Sequence, residues 1–302
     1  MKSSTLKADL LLLLTALIWG SAFVAQRVGM ESMGPMLFTG TRFGLGALVI
    51  LPLALRGDKG RWREPALWVG GVCAGLVLCG GALLQQAGLV FTTAGKAGFI
   101  TGLYVVLVPI FGLFLRQKVS GAIWLGVGLA VIGLYLLSVT EDLRLVPGDA
   151  IVLAGTVFWA LHVILLGQFA HRVATLRLAL IQFVVCSVCS LMAAVVMEPI
   201  SIGAVIDGAG PILYGGVLSV GIGFTLQVRA QRDALASHAA IILSLEAVFA
   251  AVVGWLFLNE HMNTRSLAGC ALMLSGMLIA QLVPLRGRLK QQHGLPQGDH
   301  PA

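Results

Sequence analysis

Two side chains of opposite charge stand deep inside apolar stretches: Arg42 in MLFTGTRFGLGALVILPLA and Glu246 in AIILSLEAVFAAVVGWLFL. A charge at the centre of a bilayer costs about 2.5–3.5 kcal/mol on insertion scales and marks a pathway, a relay or a partner. Arg42 can grip a carboxylate with two parallel N–H bonds. It lies seven residues after Pro35, about 10 Å along a helix at 1.5 Å per residue, so it also has the reach to snorkel outward. Glu246 sits twelve residues from either end of its stretch and has no such exit. It reads as a contact for a substrate amine or as a protonation site; the plain alternative is a neutral carboxyl bonded to a neighbouring helix.

Other polar groups accompany them in apolar surroundings: Lys96, Tyr104, His162, Gln182, Trp19 and Trp159. His162 follows Trp159 by three residues and shares its helix face. Each candidate substrate-binding residue has a packing or anchoring role as its simpler reading. Gln85, Gln86 and Gln227 are further buried amides that either bind a solute or join helices. Metal and enzyme chemistry find little support. Cys186-x-x-Cys189 has redox spacing, but it lies in FVVCSVCSLM, where small residues pack helices and no electropositive setting activates a thiolate. No His, Cys and Asp cluster has metal-ligand spacing, and no glycine-rich loop ends in Lys-Ser or Lys-Thr. Ser219 and His162 lack the sequence context of a serine nucleophile. No cofactor is expected, and an integral-membrane enzyme stays only as a minor alternative.

The elements that position these groups must be membrane helices. The chain has 302 residues, 58% hydrophobic and only 11% charged. A soluble domain carries about 25% charged residues, and a disordered chain needs high charge with low hydrophobicity. The sequence predicts ten spans, 10–26, 35–55, 66–86, 97–115, 121–139, 150–168, 178–197, 211–228, 234–258 and 266–285, near the ~20 residues that cross a bilayer. Runs such as LLLLLTALIW do not alternate, which argues against a β-barrel. The start, Lys2 and Lys7 before that run, resembles a signal peptide but shows no convincing cleavage site, so an uncleaved first helix is expected.

Lys and Arg collect on the cytoplasmic side of membrane proteins. With the N-terminus inside, fifteen of the 20 fall on that side, from Lys2 and Lys7 to Arg286, Arg288 and Lys290. Only Arg27, Lys96, Arg144 and Arg265 fall opposite, and Arg42 lies within a span. Both termini are therefore expected in the cytoplasm, and the +7 net charge needs no nucleic-acid partner.

The chain also repeats. A spacing of 140 relates Asp9 to Asp149, Trp19 to Trp159 and Arg42-Phe43 to Gln182-Phe183; a spacing of 142 relates Lys96 to His238, Tyr104 to Glu246 and Gly112 to Gly254. Five spans per half is an odd number, so the halves 1–145 and 146–302 enter the membrane in opposite senses, the second ending in a short polar tail. Inverted repeats place substrate sites near the midplane and support alternating access. Gly40-x-x-x-Gly44 and Gly71-x-x-x-Gly75 have the spacing of close helix contacts, and Gly126, Gly128 and Gly133 are expected to act alike.

In order and in duplication, ALIWGSAFVAQRVG, TRFGLGAL, TTAGKAGFITGLYVVLVPIFGLFL, GVGLAVIGLYLL, FWALHVILLG and ALASHAAIILSLEAVFAAVVGWLFLNEHMN make one specific pattern. It resembles the drug/metabolite transporter superfamily, in particular the ten-helix EamA-type carriers, over roughly residues 8–285. The resemblance implies an all-α multi-pass protein of the inner (cytoplasmic) membrane that moves small metabolites or amino acids, usually outward. Protons are the candidate coupling ion, and a homodimer is compatible with it. The alternative within the same resemblance is a flippase of lipid-linked substrates. The pattern departs from the family at Ala247, where Pro often follows the ninth-helix Glu, and at Gln117-Lys118, where an acid often ends the fourth helix; Glu260 keeps the second copy.

Overall fold

A computed structural model describes residues 3–56, 62–92, 94–116, 119–138, 147–258 and 264–293, and among these no strand occurs. The helices are α1 (Ser3–Gly29), α2 (Pro35–Ala54), α3 (Pro65–Leu89), α4 (Ala94–Gly102), α5 (Tyr104–Phe114), α6 (Gly121–Ser138), α7 (Pro147–Phe169) and α8 (Thr175–Met197). They continue as α9 (Ile202–Asp207), α10 (Ala209–Leu213), a π-helical stretch (Tyr214–Phe224), α11 (Thr225–Gln231), α12 (Ala236–Leu243), α13 (Glu246–Leu258) and α14 (Thr264–His293). Pro35, Pro65 and Pro147 each open a helix, where a missing N–H costs nothing.

Among the described residues, eight helical stretches are long and apolar enough to cross a membrane, and 44–67% of an 18-residue apolar window in each is buried inside the bundle. The rest is apolar and exposed, as at Leu48, Val195 and Val196, so the outer surface matches hydrocarbon rather than water. The apolar parts of α6 and α14, Gly121–Leu136 and Leu267–Ile279, are shorter. The chain is thus an all-helical, multi-pass membrane protein. Three expected spans differ from continuous α-helices. The stretch 97–115 is divided between α4 and α5, and 234–258 between α12 and α13, while 211–228 contains the π-helical stretch. At both breaks the ladder tightens: the N–H of Leu103 reaches the Ile100 carbonyl, and that of Leu245 the Ile242 carbonyl, each at 3.1 Å. The two break positions are 142 residues apart, the spacing that also relates Tyr104 to Glu246.

The packing comes in matched sets. α2 lies on α8, and α6 on α14; α3 lies on α7 as α1 lies on the π-helical stretch; α3 meets α8 as α2 meets that stretch. Small residues set the closest approaches. A Cβ on Gly71 would fall 2.6 Å from Ile181 Cγ2, and one on Gly75 2.7 Å from Val185 Cβ, so α3 and α8 meet nearly backbone to side-chain root. Gly40 and Gly44 do the same against Leu191 and Ser187. α6 and α14 exchange contacts, Gly133 toward the Gly269 carbonyl and Gly276 toward the Gly126 carbonyl. Gly128 departs from the expected pattern: a Cβ there meets nothing within 4 Å, because its side of α6 faces away from α14.

The helices also run beyond the predicted spans, so Arg42 and Glu246 are not their only charged residues. Asp9, Asp149 and Arg177 are buried near helix ends. Asp9 Oδ1 accepts from His238 Nε2–H at 2.9 Å, joining α1 to α12. Asp149 accepts from the Thr92 hydroxyl. Arg177 donates to the Ala54 carbonyl and lies over the Trp62 ring. Glu198, just past α8, accepts the N–H groups of Met36 and Leu37 at 2.8 Å each, filling the open donors at the start of α2.

Candidate functional site

The helices surround a cavity lined by polar, charged and aromatic side chains. Its walls come from α1, α2, α3, α4, α5, α7, the π-helical stretch, α11, α12 and α13. Arg42 and Glu246 both line it, with Tyr104, Trp19 and Trp159. Tyr104 and Glu246 begin α5 and α13, so each stands just past a helix break. α1 crosses close to the second break: a Cβ on Gly20 would lie 2.5 Å from the Glu246 carbonyl oxygen.

Arg42 is buried rather than snorkelling outward. Its guanidinium carbon lies 5.5 Å from the Phe38 ring centre and 5.2 Å from that of Phe43, within range of cation–π attraction. Among the described residues, neither Arg42 nor Glu246 forms a hydrogen bond or ion pair. They are also the only formally charged residues among those lining the cavity. A guanidinium and a carboxyl, each without a protein partner among the described residues, thus share one buried space.

Aromatic rings form one wall. Phe224 sits between the two tryptophans, 4.4 Å from the Trp19 ring centre and 6.0 Å from that of Trp159, stacked on the latter at 19°. The Trp19 indole N–H donates to the Ser219 carbonyl at 3.2 Å. The Trp159 indole N–H and the Tyr104 hydroxyl have no partner among the described residues.

His162 and Gln182 do not line the cavity. They bond to each other at 2.8 Å, His162 Nε2 with Gln182 Oε1, behind Trp159 and Phe224. Lys96 falls in α4, and its side chain lies outside the described residues. Cys186 and Cys189 are free thiols in α8, and Cys79 from α3 approaches Ser190 at 3.6 Å, an arrangement of small side chains at a helix contact.

Six lining residues escaped the sequence reading: Phe23, Gln26, Thr101, Val163, Phe224 and Leu243. Gln26 and Thr101 carry a readable signal, a polar group within an apolar run. They tie the amides of α3 in place: Gln85 Nε2 donates to Gln26 Oε1 at 3.2 Å, Thr101 donates to Gln85 Oε1 at 3.3 Å, and Gln86 donates to the Gln26 carbonyl. Phe23, Val163, Phe224 and Leu243 carry no signal that separates them from ordinary apolar residues.

The EamA-like transporter family model matches the chain twice, over residues 6–139 and 146–281. An uncharacterized transporter of Archaeoglobus fulgidus is 31% identical over 284 residues, covering 92% of this chain and 86% of its own. The uncharacterized transporter YoaV of Bacillus subtilis is 24% identical over 271 residues, covering 87% and 92%. A solved crystal structure shares the fold with a TM-score of 0.78 at 20% identity, over 92% of this chain and 98% of its own.

Proposed function

The chain belongs to the EamA-like transporter family, and from that premise we propose that it carries a small zwitterionic metabolite of the amino-acid class by alternating access. The carrying observation is that Arg42 and Glu246 line one cavity and are unpaired among the described residues. A substrate carboxylate goes to Arg42, where the planar guanidinium offers paired donors. A substrate ammonium goes to Glu246. The aromatic wall of Trp19, Phe224 and Trp159 packs the body of the solute between them.

In this reading the chain is ten spans in two inverted halves, 1–145 and 146–302. The two successive family matches support the division, as do the matched packing pairs and the two breaks ahead of Tyr104 and Glu246. Broken helices at a midplane site are the usual place where inverted-repeat carriers hold their solutes. The positive-inside count supports an orientation with both termini in the cytoplasm of a cytoplasmic-membrane protein. Export is the proposed direction. Glu246 is the proposed proton site, since a carboxyl released from a leaving ammonium can take a proton in its place. Purified protein in liposomes, loaded with single amino acids and assayed for counterflow with and without a pH gradient, tests the proposal. Exchange of amino acids but not of amines or carboxylates alone supports it; no exchange of any amino acid overturns it.

A further inference from the structure

We infer that Gln227 and the Trp159 indole N–H form a polar subsite that reads a hydroxyl or carboxamide group on the solute; this rests on the amino-acid reading of the same cavity. The argument comes from comparing positions at equal spacing in the two halves. The spacing of 142 that relates Tyr104 to Glu246 also relates Gln85 to Gln227. Gln85 has a partner at each end of its amide, accepting from Thr101 and donating to Gln26. The residues that correspond to Thr101 and Gln26 in the second half are Leu243 and Leu166. Gln227 therefore lacks the two partners that hold Gln85. Only 1% exposed and lining the cavity, its amide nitrogen and its amide oxygen are both without partners among the described residues.

The tryptophans differ in the same way. Trp19 spends its N–H on the Ser219 carbonyl, which lies in the π-helical stretch. Its counterpart Trp159 packs against α3, where Gly81 faces the Trp159 ring as Gly223 faces Trp19. There the Trp159 N–H finds no acceptor. Phe224 stacks on Trp159 and precedes Gln227 by three residues, so the free indole and the free amide belong to one wall.

A buried primary amide with both ends unmet is costly, and leucine would fill the place without that cost. The position makes sense when a ligand meets it. An amide offers a donor and an acceptor side by side, and the indole adds one donor. The complementary group must both accept and donate, as a hydroxyl or a carboxamide does. With the solute's carboxylate at Arg42 and its ammonium at Glu246, the polar group falls on the side chain. The substrate class narrows to amino acids with hydroxyl or carboxamide side chains. A site built to bond such a group rejects the analogue that lacks it, because the protein's own groups are then left unmet.

Counterflow in liposomes tests this with near-isosteric pairs, threonine against valine and asparagine against leucine, in the wild type, Gln227→Leu and Trp159→Phe. The expected wild-type preference is about tenfold or more for the polar member, and each substitution should lower that ratio at least about fivefold by removing a bond the apolar member never makes. Gel filtration and thermal unfolding check folding, and Trp159→Phe carries the test if Gln227→Leu does not fold. Wild-type exchange with no preference overturns this inference and leaves the amino-acid reading standing, as do unchanged ratios in the folded variants. No exchange of any member overturns both.

Discussion

Tyr104 and Glu246 are the first residues of two half-helices, α5 and α13, and both line the same cavity. Each follows a point where the ladder tightens into a bond three residues back. A phenol and a carboxyl at matched positions are not equivalent chemically. Of the two, a carboxyl is by far the stronger acid, so the proposed proton site has no equivalent in the first half.

Glu246→Gln keeps the size of the side chain and removes its proton exchange. Imposing a pH gradient across liposomes should accelerate wild-type amino-acid flux and leave the variant's flux unchanged. Radiolabelled uptake with and without the gradient measures this. A variant that responds to the gradient as the wild type does removes Glu246 from the coupling.

Arg42→Lys retains the charge but loses the paired donor geometry. The KM for amino acids should rise about tenfold or more, the equivalent of losing one charge-assisted bond. Competition by simple amines, which have no carboxylate to place, should be nearly unaffected. Inhibition curves with both ligand types in wild type and variant measure the contrast. Equal weakening for both types would show that Arg42 shapes the cavity without gripping a carboxylate.

The apolar run lengths and the opening prolines place most helices within a few residues, Pro35 and Pro65 being the sharpest cases. The breaks are less legible. No proline stands at Leu103 or at Ser244–Leu245, and Pro109 and Pro52 sit within helices that continue through them. The site is half legible. Arg42 and Glu246 announce themselves because charge is rare in apolar runs, and spacing picks out Trp19 and Trp159. What separates Gln85 from Gln227, or sends Gln182 to His162 and away from the cavity, is which neighbours three helices bring together. Those contacts are tertiary, and no local pattern encodes them.

Gly20 and Gly128 offer a paired test of how closely the helices pack. A Cβ on Gly20 would lie 2.5 Å from the Glu246 carbonyl and 2.8 Å from the Ala250 nitrogen, both backbone atoms that do not yield. Gly20→Ala should cost about 1–3 kcal/mol through overpacking and disturb the second break, lowering transport as well as the unfolding temperature. Gly128→Ala meets open space and should be neutral or stabilise by up to about 1 kcal/mol, as an added methyl does within a helix. Thermal unfolding in detergent, read beside counterflow, tests both. A harmless Gly20→Ala would mean that α1 and α13 are not in the contact the structure gives them.

Glu198 provides a test away from the cavity. Its two carboxylate oxygens take the N–H groups of Met36 and Leu37 at 2.8 Å, where α2 begins with no side-chain cap of its own at Gly34. The carboxylate also meets the positive end of the α2 dipole. Because Glu198 follows α8, this cap ties the end of α8 to the start of α2 and so sets the register of the pair that carries Arg42 and Gln182. Glu198→Ala removes both bonds and should lower stability by about 0.5–2 kcal/mol, the range for a lost helix cap. Glu198→Gln keeps one acceptor and should lose less. The two variants should unfold in that order, with substrate preference unchanged in both, since the cap holds the helices without touching the solute. If neither unfolds earlier than the wild type, the α2–α8 register rests on the Gly40 and Gly44 contacts with Leu191 and Ser187 instead.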